Sequence, residues 1–135
     1  MGTDRARRVG AVATLTKQLS EADVALFSLV TGDAPLEREE PPDPAPRPRQ
    51  AAPLSLLGAL LTSAAGRHAA QPELAHLVSQ TVEFHAQALT NDTITATAEL
   101  VGYDAARHVL QIQVRCEDQA GRRLADGQVV LREDR

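Results

Sequence analysis

Four segments in the second half of the chain alternate between apolar and polar residues, with only short turns between them. They are HLVSQTVEFHAQAL (76–89), DTITATAELVGYD (92–104), HVLQIQVRCED (108–118) and RLADGQVVLRE (123–133). Period-two alternation buries one face of a segment and wets the other, which is the signature of an antiparallel strand. Ile94, Ala96, Ala98 and Leu100 share one face, and Thr93, Thr95, Thr97 and Glu99 take the other. In the next segment Leu110, Ile112, Val114 and Cys116 oppose Val109, Gln111, Gln113 and Arg115. YDAAR (103–107) and DQAGR (118–122) read as hairpin connections, with Gly121 free to take a positive φ. Strands joined this tightly form an antiparallel sheet, and a sheet with one apolar face needs a second layer to cover it.

That layer is encoded upstream. PLSLLGALLTSAAG (53–66) opens on a proline, favoured in a first helical turn, and closes on Gly66. Leu54, Leu56, Leu57, Leu60, Leu61, Ala64 and Ala65 fall on nearly every side, so this helix belongs in the interior. Gly58, Ala59 and Ala64 let strands come close. Earlier, VGAVATLTKQL (9–19) reads as a first strand. SEAD (20–23) then starts a short helix of roughly 21–31, Ser20 and Asp23 forming a capping box and Gly32 ending it. Val24, Phe27 and Val30 give that helix one apolar face. Residues 35–53 hold seven of the eight prolines and read as an exposed loop, because proline removes amide donors and restricts its predecessor. The order predicts an α+β fold: a long central helix wrapped by a curved antiparallel sheet. Residues 1–135 are expected to be one domain, with the proline-rich loop (35–53) inside it.

Composition narrows the function classes. Aromatic residues make up 2% of the chain (Phe27, Phe84 and Tyr103), so the core rests on small aliphatic side chains and is thin for a monomer. A second subunit would thicken it. The net charge of −4 and the lack of a basic stripe or stacking platform argue against nucleic-acid binding. Cys116 has no partner for an intrachain disulfide and reads as a strand position. The apolar run from Leu54 to Ala65 is too short to cross a membrane. No apolar run of signal type follows MGTDRARR, and a cytoplasmic protein is the expectation.

SEADVALFSLVTGD (20–33), FHAQALTNDTI (84–94) and CEDQAGRRLADGQVVL (116–131), in this order of elements, resemble the MaoC-like hot-dog proteins, typified by (R)-specific enoyl-CoA hydratases. The resemblance runs from about Val9 to Leu131. It implies a hot-dog fold and acyl-thioester chemistry: water added to, or removed from, an α,β-unsaturated acyl-CoA or acyl-carrier thioester. In that family an Asp and a His hold the water. An amide at the start of the central helix takes the thioester oxygen.

Position by position, the family's loop is altered in TGDAPLEREEP (31–41). Asp33 falls on the family Asp, and Pro35 and Leu36 on its Pro and the residue after it. Ala34 replaces an Asn and one residue is missing. The His position goes to Glu37, or to Arg38 if one counts from Asp33. The family's His-Gly pair becomes Pro53-Leu54, which leaves the amide of Leu54 or Ser55 for the oxygen. The resemblance thus implies Asp33 and Glu37 as catalytic carboxylates and Leu54 and Ser55 as substrate-binding residues. It implies no metal and no cofactor beyond the thioester substrate. Its partners would be an acyl thioester and a second hot-dog subunit, in a homodimer or heterodimer. Asp33 reads equally as a Gly-Asp turn, and Glu37 as part of the charged run EREE. His68, His76, His85 and His108 read as surface or strand-edge residues, too dispersed for a metal site. Three functions follow: a hydratase or dehydratase with an altered site, a non-catalytic hot-dog subunit that binds an acyl group or pairs with an active homologue, and a hot-dog thioesterase.

Overall fold

The structure, a computed structural model, describes residues 8–32 and 51–134. Strand β1 (Val12–Gln18) leads into helix α1 (Glu21–Thr31), and helix α2 (Leu54–Gly66) is followed by a single 3₁₀ turn. Strands β2 (Ala75–Phe84), β3 (Thr93–Asp104), β4 (Val109–Glu117) and β5 (Arg123–Glu133) complete the chain. All five strands make one antiparallel sheet in the order β1-β3-β4-β5-β2. The sheet curls around α2, which touches every strand.

The inward faces are those the alternation predicts. Ile94, Ala96, Ala98 and Leu100 on β3, and Leu110, Ile112, Val114 and Cys116 on β4, are buried against Leu57, Leu61, Ala64 and Ala65 of α2. Among the helix residues whose burial is described, only a narrow stripe, Ser55, Ala59 and Ser63, faces water. Its spacing of four residues is one row along a helix surface, so the other described side chains of α2 are at least partly covered. Small side chains on both layers allow this close approach. Gln80 of β2 reaches across to donate to the Gly58 carbonyl at 2.8 Å and to Thr62 Oγ1 at 2.6 Å.

Helix α1 begins as its sequence predicts. The Ser20 hydroxyl accepts from the Asp23 amide, and the Asp23 carboxylate accepts from the Ser20 amide, both at 3.0 Å. Gly32 ends it in the left-handed region at φ 77°. The expected apolar face is corrected in one place. Val24 is buried and Phe27 half-buried, but Val30 is exposed along with Leu26 and Leu29. The short helix lies at the edge of the core, and the buried position at its end is Ser28.

Two irregularities shape the end of the sheet that matters most. Residue Leu124 is an extra residue in β5: Cys116 pairs with Ala125 and Glu117 with Arg123, so Leu124 and Ala125 are both buried in succession. This bulge turns the Leu124 carbonyl toward β2, where it accepts from the amides of His85 (2.8 Å) and Ala86 (3.3 Å). A bulge that re-aims the backbone in this way also stops regular pairing. For that reason β2 ends at Phe84, although the alternating sequence runs on to Leu89.

Candidate functional site at the start of helix α2

After Phe84 the chain leaves the sheet and crosses the N-terminal end of α2. The crossing is fixed at three points. The Leu124 carbonyl holds its beginning, the Arg122 guanidinium donates to the Gln87 carbonyl at 3.2 Å, and the Ala52 amide donates to the Ala88 carbonyl at 2.8 Å. Beyond it, Asn91 turns the chain at φ 72°, and the buried Asp92 carboxylate accepts from the Leu89 amide (2.9 Å) and from Gln119 (3.0 Å). Asp92 is thus a structural brace.

Between this crossing and the helix lies a cavity of about 210 Å³, lined by Ala52, Pro53, Leu57, Phe84, His85, Ala86, Gln87 and Ala88. Its walls are largely apolar, and Phe84 is half exposed. Leu54 and Ser55 open the helix beside it. Their amides belong to the first turn and have no intrahelical acceptor, and Pro53 supplies no side-chain cap. Amides left free at a helix start favour a partly negative oxygen. Ser55 itself is exposed.

A polar cluster lies next to the cavity, and of its members only His85 is among the lining residues. His85 Nε2 lies 3.2 Å from Asp126 Oδ2, and Arg123 Nη1 lies 3.2 Å from that same oxygen. The hydrogen bond from His85, aided by Arg123, holds the Asp126 carboxyl below its ordinary value against the opposing effect of burial. Glu83 faces Asp126 directly across β2 and β5, and Glu83, His85 and Asp126 bring one donor atom each to within 4.8 Å of one another. Arg123 already brings a fixed positive charge to the carboxylate that a divalent ion would need, so we assign no metal to the group.

The positions expected from the sequence fare unevenly. Asp33 and Glu37 lie outside the described residues, as does the proline-rich stretch up to residue 50. Leu54 and Ser55 do stand at the first turn of α2, beside the cavity. The reading of the histidines as surface or strand-edge residues is corrected for His68. His68 is buried and His108 half-buried, while His76 and His85 are exposed and paired with Asp134 and Asp126. The sequence reading missed the pair His85 and Asp126. They are 41 positions apart, and only the β2–β5 register and the Leu124 bulge bring them together.

No protein-family model and no curated protein sequence matches the chain. Solved structures do. The (R)-hydratase from A. caviae involved in PHA biosynthesis superposes with a TM-score of 0.74 at 22% identity, covering 94% of this chain and 97% of that one. The chain has the hot-dog fold. The R-hydratase PhaJ1 from Pseudomonas aeruginosa gives 0.76 at 23% identity, covering 93% and 81%. A point mutant of the fluoroacetyl-CoA-specific thioesterase FlK gives 0.69 at 19%, covering 93% and 86%. The resemblance seen in the sequence therefore holds at the level of architecture: the hot-dog helix is α2, and its wrapping sheet is β1 to β5.

Proposed function

We propose that this hot-dog protein binds an acyl thioester in the cavity at the start of α2 and catalyses the addition or removal of water at its α,β double bond. The observation that carries the reading is the cavity itself. An apolar pocket sized for part of an acyl group lies against Pro53 and Leu57 of the start of α2, next to first-turn amides with no intrahelical acceptor. A thioester oxygen placed against Leu54 or Ser55 would meet a hydrogen-bond donor and the positive end of a helix, both of which favour the charge of an enolate. The catalytic carboxylates in this reading are Asp33 and Glu37, which the sequence resemblance implies and which lie outside the described residues. Two of the structural neighbours are hydratases, in keeping with this choice.

A second reading, thioester hydrolysis, draws on the neighbour that is a fluoroacetyl-CoA-specific thioesterase. It uses the same cavity and the same amides and differs in the carbon that water attacks. Either reading is compatible with a second subunit. Strand β2 lies at one end of the sheet and exposes Leu77 and Val78, an edge of the kind that pairs with another strand. Among the described residues no helix is long and apolar enough to cross a membrane.

The test is turnover of crotonyl-CoA and longer trans-2-enoyl-CoAs, run beside saturated acyl-CoAs, with wild type, Asp33→Asn and Glu37→Gln. Formation of 3-hydroxyacyl-CoA is the expected product, and loss of activity in either variant would place that carboxylate in the reaction. Release of free CoA without hydration would select the thioesterase. Absence of both reactions would reject catalysis.

A further inference from the structure

Resting on the acyl-thioester reading above, we infer that the cavity also binds the arm that carries the acyl group, through a secondary amide held by the main chain of Ala52 and Ala88. Such an amide stands close to the sulfur both in coenzyme A and in the prosthetic arm of a carrier protein.

Every residue from 84 to 88 lines the cavity, Ala86 and Ala88 among them. Side chains alternate across an extended chain, so a wall that uses each residue of a run is largely a wall of main chain. Ala88 is 2% exposed and Ala52, across from it, 9%. Their main-chain polar groups are screened from water and need partners. Ala51 and Leu89 form an antiparallel bridge, which makes Ala52 and Ala88 the next pair along it. Two residues at that position of a ladder exchange both of their hydrogen bonds. Here one is made, from the Ala52 N–H to the Ala88 carbonyl at 2.8 Å. The return bond, from the Ala88 N–H to the Ala52 carbonyl, is not made. Among the described residues neither group has another partner. Pro53 turns the chain into α2 at this point and peels it away from the crossing segment. The unmatched donor and acceptor face the gap that opens, and both residues line the cavity there.

A ligand that fills such a gap must offer an acceptor on one side and a donor on the other. A trans secondary amide does so, because its C=O and N–H point in opposite directions. A thioester lacks the donor, and an acyl chain lacks both. The placement also agrees with the acyl reading. Leu57, Leu54 and Ala52 follow one another back along the chain, with Leu57 on the apolar side of the cavity. An acyl group against Leu57, a thioester oxygen at the Leu54 amide and an arm amide at Ala52 keep that order. Two residues of chain reach at most about 7 Å, which suits the short link between a thioester carbonyl and the amide of its arm. No bond is made or broken, and the pairing joins neutral groups.

The test measures dissociation constants by calorimetry on the full chain. The ligands are butyryl thioester analogues with CH2 in place of sulfur, so that neither hydration nor hydrolysis consumes them. One ends in an N-acetyl secondary amide, one in the same amide methylated on nitrogen, and one in a plain alkyl arm of equal length. The secondary amide should bind about 10-fold tighter than either of the others, because losing one partner leaves a buried group unpaired. The corresponding coenzyme A and carrier-protein analogues, run alongside, tell apart the two sources of the amide. Ala88→Pro removes the N–H and keeps the carbonyl that Ala52 needs. It should erase the preference for the secondary amide and leave the affinity for the alkyl arm within a few-fold. If circular dichroism shows that this variant does not fold, the ligand series on wild type decides by itself. Equal binding of the three ligands by wild type overturns the inference and leaves the acyl-thioester reading standing. A folded Ala88→Pro that keeps the full preference also overturns it. Wild type that binds none of them and turns over no acyl-CoA overturns both.

Discussion

His68 Nε2 lies 2.8 Å from the carbonyl oxygen of Ala98, tying the end of α2 to the middle of β3 inside the core. The neighbouring Arg67 does the same on the outside, donating to the Thr14 carbonyl of β1 at 2.6 Å. A buried imidazole is stable only with such a partner, and removing it forfeits the bond and leaves a void. His68→Ala should therefore cost about 1–3 kcal/mol of stability. In urea unfolding this appears as a lower midpoint at an unchanged slope. An unchanged midpoint would show that the bond contributes nothing.

At Gly127, β5 leaves no room for a side chain against β2. A Cβ there would run into the Thr81 carbonyl oxygen and stand 2.8 Å from the Val82 Cα, which are backbone atoms of the paired strand and cannot rotate away. Gly127→Ala should cost about 3 kcal/mol, near the upper end for overpacking. The corresponding fall in Tm is roughly 10 °C. A Tm within a degree or two of wild type would contradict the tight contact.

These two contacts show what the sequence could and could not reveal. Strands β3, β4 and β5 are legible to within a residue at each end, because alternation is local and each turn announces itself. The capping box at Ser20 and Asp23 is legible for the same reason. The end of β2 is not: HAQAL (85–89) continues the alternation in letters, but Leu124, far along the chain, captures the amides that would continue the ladder. The contact of His85 with Asp126 is not legible either, because it depends on that bulge and on the β2–β5 register. The only local hint was a Glu-x-His spacing at a strand end, which puts Glu83 and His85 on one face.

Cys116 is fully buried on β4, and burial pushes its thiol up to about 11. The folded state therefore favours the neutral thiol. This stabilisation is present below the unfolded value, 9.0, and is lost as pH rises toward 11. Two consequences can be measured. At pH 8 the thiolate fraction in the folded protein is about 100-fold below that of a free thiol, so labelling by a disulfide reagent should be slower by at least that factor until denaturant is added. Cys116→Ala should flatten the decline in stability between about pH 9 and pH 11. Rapid labelling of the native protein would show that β4 opens readily.

The edge of β2 offers the last prediction. Leu77 and Val78 are 46% and 54% exposed on a strand paired only with β5, and Val78 is the extra residue of a bulge in that pairing. Bulges and charges keep a sheet edge from pairing. Here the bulge is present, yet the residues beside it are apolar, which suits an edge covered by another chain rather than one left in water. If the proposed pairing of subunits runs through this strand, wild type should sediment at twice the 14.4 kDa chain mass. The double substitution Leu77→Lys and Val78→Lys should then bring it to a monomer, since two like charges on each copy would face each other across a two-fold axis. Phe84 and the cavity lie at the far end of the same strand, so a monomer with full activity would show that the site is complete within one chain. A wild type that sediments as a monomer would remove β2 as the pairing edge.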